Sequence, residues 1–135
     1  MFYRSPAHPD APTLAPDAQG LIWLPDEAFA AAFAQNASAE ELAVFQAVQR
    51  PITPESITTP VGRPRWKDLP SWFLIAEKDR MIPAETQRFM AEHMQATVRT
   101  HPVDHAPLVT APSSVTTIIL EAADHVASGS PQGSE

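Results

Sequence analysis

Two residues of this sequence have the type and spacing for joint acid–base chemistry, Asp79 and His105. Asp79 follows the apolar run Ser71-Trp-Phe-Leu-Ile-Ala76 and its charged end Glu77-Lys78, and His105 stands four residues after a second strand-like stretch that ends at His101. If the two stretches are neighbouring parallel strands, both residues fall in loops at strand carboxyl ends, where parallel α/β sheets collect ligands and catalysts. A carboxylate there can accept the N–H of one imidazole nitrogen and fix the tautomer, so that the other nitrogen faces a nucleophile. Each residue also has a plainer reading taken alone. Asp79 can cap a helix that opens near Pro83, and His105 can be an exposed loop histidine.

The remaining reactive side chains read as structural. His101 and His105 are four apart, but Pro102 prevents the helix that would aim both at one metal, so no metal site is expected. His125 beside Asp124 falls in a last helical turn, where a cation favours the helix dipole. Arg63, Arg65 and Lys67 form a small basic patch that reads as solvated surface. A nucleophile is harder to find. The four glycines are Gly20, Gly62, Gly129 and Gly133, and no Ser sits in the G-x-S-x-G turn that exposes a hydrolase nucleophile. Serines 5, 38, 71, 113 and 114 read as connector, helix cap, strand start and helix start. The absence of cysteine removes thiolate catalysis, disulfides and Cys-ligated zinc.

The elements that must position Asp79 and His105 follow from local pattern. Residues 1–19 carry prolines at 6, 9, 12 and 16 and read as an extended connector. Residues 20–66 read as a helical cap-like segment and linker. Gly20-Leu-Ile-Trp-Leu24 is a short strand or buried anchor, and Pro25-Asp26-Glu27 opens a helix that should end near Asn36 with Phe29 and Phe33 on one face. Ser38-Ala-Glu-Glu41 is a capping box for a second helix running toward Pro51, and one helical turn is expected after Pro54. Residues 67–128 carry the layer: a strand at 71–76 covered on both faces, a helix from Pro83 to Met94 with Phe89, Met90 and Met94 on its stripe, a strand at 96–101, a loop to Ala111 and a helix from Pro112. That order is the β-α-β-α signature of a parallel α/β layer, and 129–135 read as a polar tail.

A chain of 135 residues, 44% apolar and 19% charged, fits one folded domain. Its net charge of −7 repels a phosphate backbone, so nucleic acid is not an expected partner. The longest wholly apolar run, Ala28 to Ala34, is far short of a membrane span, and Pro6, Pro9 and Pro12 stand where a signal peptide needs an apolar block. No membrane partner is expected, and a cytoplasmic location is.

Pro70-Ser-Trp-Phe-Leu-Ile-Ala-Glu-Lys-Asp79-Arg-Met-Ile-Pro83, then Gln87-Arg-Phe-Met-Ala91, then Asp104-His105-Ala-Pro-Leu-Val-Thr-Ala-Pro112 resembles the carboxyl-terminal part of an α/β-hydrolase. The likeness is to small bacterial esterase-like members, themselves similar to plant methylesterases and hydroxynitrile lyases. It is specific from Trp66 to Val126 and looser over Gly20 to Pro51, which is similar to the family's helical cap. The resemblance implies Asp79 as triad acid and His105 as triad base, no cofactor, and hydrolysis of a small-molecule ester. It does not extend to the nucleophile elbow, the oxyanion-hole loop and most of the sheet. The isolated chain is therefore expected to be inactive unless an amino-terminal hydrolase fragment complements it, and its strand edge to self-associate or bind that fragment. The alternative is a non-enzymatic remnant acting as an interaction or binding module. Asp104 is a rival partner for His105, but adjacent side chains of an extended loop point apart.

Overall fold

The computed structural model describes residues 6–129. Strand β1, Trp72–Ala76, and strand β2, Thr97–His101, pair in parallel, with Trp72 opposite Thr97 and Ala76 opposite His101. Helix α4, Ala84–Met94, connects them, and helix α6, Pro112–Gly129, follows β2. This is the expected β-α-β-α order. Pro83 stands at the N-cap position of α4, and Gln95 ends the helix in the left-handed region with φ of 52°. The segment after β2 differs from the expected loop, because Pro107–Thr110 forms a one-turn helix, α5. Four residues carry too little periodicity to be read in advance.

Two expectations about burial are corrected. The strand read as covered on both faces is buried only at Ile75 and Ala76, and Trp72 to Leu74 are half-buried. The sheet of the described residues has two strands, so β1 has one covered edge. Helix α4 buries Thr86, Gln87 and Ala91 rather than a Phe89–Met90–Met94 stripe, and Met90 is exposed. A buried glutamine displaced the apolar stripe because its amide finds main-chain partners, described below.

Before the layer, helix α1 at Asp26–Ala28 widens into a π-helical turn at Phe29–Phe33 and stops at Ala34, earlier than the expected Asn36. The Ala34 N–H reaches back to the Phe29 carbonyl at 2.7 Å. The wider turn sets Phe29 and Phe33 edge to face at 5.6 Å, and Phe45 packs on both. Phe45 comes from helix α2, Ala39–Val48, which opens with the expected capping box: Ser38 Oγ accepts from Glu41 N at 3.2 Å and Glu41 Oε2 accepts from Ser38 N at 2.7 Å. The Ser38 backbone N–H and hydroxyl hold the Glu41 carboxyl below the usual range. Helix α3, Glu55–Thr58, is the single turn expected after Pro54.

Residues 20–24 form no strand. Ile22 makes one antiparallel bridge to Ile52, and Pro54, which would face Gly20 at the next bonded position, has no N–H to extend the ladder. The connector before it is not extended throughout. Asp17 closes a turn, its Oδ1 accepting from Gln19 N and Leu21 N at 2.9 Å each and its Oδ2 from Trp23 Nε1 at 3.2 Å, while Gly20 takes a φ of 80°. The Leu21 N–H, first among these donors, holds the Asp17 carboxyl below its ordinary value. In the basic patch Arg63 grips Asp68 through two hydrogen bonds of 2.6 and 3.2 Å, with both side chains solvent-exposed.

Candidate active site

The paired ends of the two strands are level, Ala76 against His101, so the loops that leave them start side by side. Asp79 lies three residues past the end of β1 and is 7% exposed. Its carboxylate accepts from four groups. Oδ1 takes the backbone N–H of Met81 at 2.8 Å and of Ile82 at 2.9 Å, and Oδ2 takes Gln87 Nε2 at 2.9 Å and lies 2.8 Å from His105 Nδ1. With three N–H donors already on the carboxylate, Oδ2 is an acceptor toward the ring, so the proton of the neutral imidazole resides on Nδ1. The lone pair is then on Nε2, at the opposite side of the ring. His105 is 28% exposed, packs its ring at 5.1 Å from Phe33, and lines a cavity of about 470 Å³ between the connector and the loop after Asp79. The structure therefore joins the two residues singled out from sequence. An imidazole held in one tautomer, on a residue that lines a cavity, can accept a proton at Nε2 and return it.

Asp104 is not the partner of His105. It is fully buried, with Oδ2 accepting from Asn36 N at 3.0 Å and Oδ1 from Ala106 N at 3.1 Å and Thr110 Oγ1 at 2.5 Å. Two more bonds join the cap-like segment to the layer beside the site, Gln35 Nε2 to the Lys78 carbonyl at 2.6 Å and Arg80 Nη1 to the Ala31 carbonyl at 2.7 Å. His125 packs edge to face on Trp72 at 5.2 Å, and because α6 runs on to Gly129 it does not stand in the last turn where a dipole contact was expected.

The sequence profile of the Alpha/beta hydrolase family matches residues 1–132. The chain belongs to the alpha/beta hydrolase family. Among solved structures, the chain is similar to polyneuridine aldehyde esterase, with TM-score 0.68 and 18% identity over 82% of this chain and 47% of that one. A histidine-to-alanine mutant of that esterase gives TM-score 0.66 and 17% identity, over 81% of this chain and 46% of that one. At such identities the likeness establishes the fold, and the chain spans about half the length of these structures. Among curated proteins nothing matches the sequence.

One residue of the site was not singled out from sequence. The Gln87 side chain of the hydrolase chain donates from Nε2 to Asp79 Oδ2 at 2.9 Å and to the Ile82 carbonyl at 2.8 Å, and its Oε1 accepts from Ala76 N at 2.9 Å. It ties the strand end, the loop and the carboxylate together. The signal available in advance was its place one turn after Pro83, within the segment that matches the family. Gln87→Leu keeps the size but leaves the Ala76 N–H, the Ile82 carbonyl and part of the Asp79 carboxylate unpaired. Unpaired buried groups cost roughly 1–3 kcal/mol each and add incompletely, so a loss of about 3 kcal/mol is expected by urea denaturation. A loss under about 1 kcal/mol, the scale of an exposed pair, contradicts this account of Gln87.

Proposed function

We propose that this chain supplies the acid and the base of an esterase-like serine hydrolase, and that a segment outside these 135 residues supplies the nucleophile and the oxyanion hole. The observation that carries the proposal is the 2.8 Å contact between His105 Nδ1 and an Asp79 carboxylate otherwise filled by N–H donors. Membership in the alpha/beta hydrolase family and a fold shared with an esterase support it. The absence of a G-x-S-x-G turn in the sequence supports the need for a second segment.

In this reading His105 Nε2 removes the proton from a serine hydroxyl as its oxygen bonds to the ester carbonyl carbon. The imidazolium is stabilised by Asp79 and then gives the proton to the departing alkoxide. Water repeats the sequence on the acyl-enzyme: His105 takes its proton, the acyl–serine bond breaks, and the serine recovers the proton. An open strand edge supports this second segment. Thr97 N bonds the Ser71 carbonyl and Glu77 N bonds the His101 carbonyl, so by strand alternation Trp72 and Leu74 turn their main chain away from β2, to an edge without a strand partner among the described residues. That edge equally favours the second reading, a non-enzymatic binding module.

Mixing the chain with the nucleophile-bearing amino-terminal half of an alpha/beta hydrolase separates the two. The chain alone is expected to cleave p-nitrophenyl acetate no faster than free imidazole, and the mixture to turn it over in a way that His105→Ala abolishes. Association without turnover supports the binding module. Turnover by the chain alone, lost in both Asp79→Ala and His105→Ala, reveals a nucleophile within it and removes the need for a second segment.

A further inference from the structure

The cavity beside His105 is walled on one side by the amino-terminal connector, through Ala7, Ala11, Pro12 and Leu14, and on the other by Ile82 and Pro83 of the loop that carries Asp79. Among the described residues that line it, His105 is the one with a polar side chain and none is an Asp, Glu, Lys or Arg. Its volume of about 470 Å³ lies within the range of small-ligand sites, roughly 300–1,000 Å³. The connector is held there from outside the cavity. Asp10 Oδ2 pairs with Arg80 Nη1 at 3.0 Å, and the same guanidinium nitrogen donates to the Ala31 carbonyl at 2.7 Å. Asp10 and Arg80 thus satisfy each other, and the Asp79 carboxylate is taken up by its own N–H donors and His105. Pro6, Pro9, Pro12 and Pro16 stiffen the connector, which lowers the entropy lost when a ligand binds against it.

We infer that Ala7, Ala11, Pro12 and Leu14, with Met81, Ile82 and Pro83, form a pocket for an uncharged apolar group of the ester, such as a short acyl chain, and that this pocket rejects a carboxylate. The inference rests on the hydrolase reading for the word ester, and its physical basis is the wall. An ionised group in it would lose hydration without gaining a partner, whereas an alkyl group sheds apolar surface from water. A ligand seated there lies against the His105 ring.

The test pairs two esters that differ by one terminal carboxylate, ethyl butyrate and monoethyl succinate, in an NMR titration of the chain as it is. Ethyl butyrate is expected to shift the His105 ring and Ile82 methyl signals saturably, and monoethyl succinate to bind about tenfold more weakly or less, the equivalent of about 1.4 kcal/mol. Leu14 is 42% exposed, so Leu14→Lys disturbs folding little. The lysine is expected to weaken ethyl butyrate about fivefold and to strengthen monoethyl succinate, because a cation now stands in the wall. Ala7→Lys, at an exposed position on the same wall, gives an independent copy of that reversal. Equal affinity for the two esters, or shifts indifferent to both lysines, overturns the inference. The two readings fail separately. A chain that binds as stated but stays inert with the amino-terminal half loses the hydrolase reading alone, and an active mixture without preference between the esters loses the pocket alone.

Discussion

In the complemented hydrolase, Asp79→Asn is expected to lower kcat by about four orders of magnitude and to cost roughly 1–3 kcal/mol of stability against urea, because one buried donor loses its acceptor. The reason lies in the count of donors around the side chain. Met81 N, Ile82 N and Gln87 Nε2 all point N–H groups at the Asp79 carboxylate. Asparagine has one acceptor oxygen. If that oxygen keeps the two backbone donors, its amide nitrogen replaces Oδ2 and offers hydrogens to His105 Nδ1 and toward Gln87 Nε2. Nδ1 must then accept, the ring proton moves to Nε2, and the nitrogen that is to take the serine proton no longer has a lone pair. Gln87 cannot relieve the conflict by turning its amide over, because its Oε1 accepts from Ala76 N at 2.9 Å. Kinetics of the complemented variant, with the ring tautomer read from nitrogen chemical shifts, check both halves. A fall of less than about tenfold in kcat, equivalent to a rise of about 1.4 kcal/mol in the barrier, contradicts the role given to Asp79.

The meeting of Asp79 and His105 was legible because both ends of it are local. An apolar strand followed by a charged turn fixes Asp79 at the mouth of β1, and the alternating stretch before Pro102 fixes His105 just past β2. Once the strands pair with Ala76 opposite His101, the two loops have no separate places to go. Gln87 and Asp104 were illegible as participants for the opposite reason. Gln87 acts on main-chain groups of Ala76 and Ile82, which carry no side-chain signature. Asp104 acts on Asn36 N, sixty-eight residues away and equally silent in sequence. The π-helical turn was missed because Phe29 and Phe33 at four-residue spacing suit an α-helix equally well, and only their packing against Phe45 distinguishes the two. The burial of β1 at its carboxyl end alone is not legible because a continuous apolar run states what a strand can tolerate on its faces, not what is present to cover them.

Asp104 is where the cap-like segment and the loop of His105 share one carboxylate, and its removal carries the second large expected effect. Asp104→Ala leaves the N–H groups of Asn36 and Ala106 and the Thr110 hydroxyl without their acceptor at a site that is fully buried. Hydrogen bonds to a charged acceptor are worth roughly 1.5–3 kcal/mol each and those sharing one group add incompletely, so a total loss of about 4 kcal/mol is expected. The loss should also be uneven in space. Ala106 N and Thr110 Oγ1 belong to the segment that carries His105, and Asn36 N follows the π-helical turn that brings Phe33 to 5.1 Å from the His105 ring. Both grips on the histidine therefore loosen together, while β1 and β2 keep their ladder. Amide exchange should rise most at Asn36 and Ala106 and least at Phe73 and Ile75, whose alternation turns them toward β2. Asp104→Asn retains one acceptor oxygen, so it should recover part of the stability and slow exchange at one of the two amides but not at both. Uniform acceleration across the layer would mean that Asp104 supports global folding rather than the junction between the cap-like segment and the loop of His105.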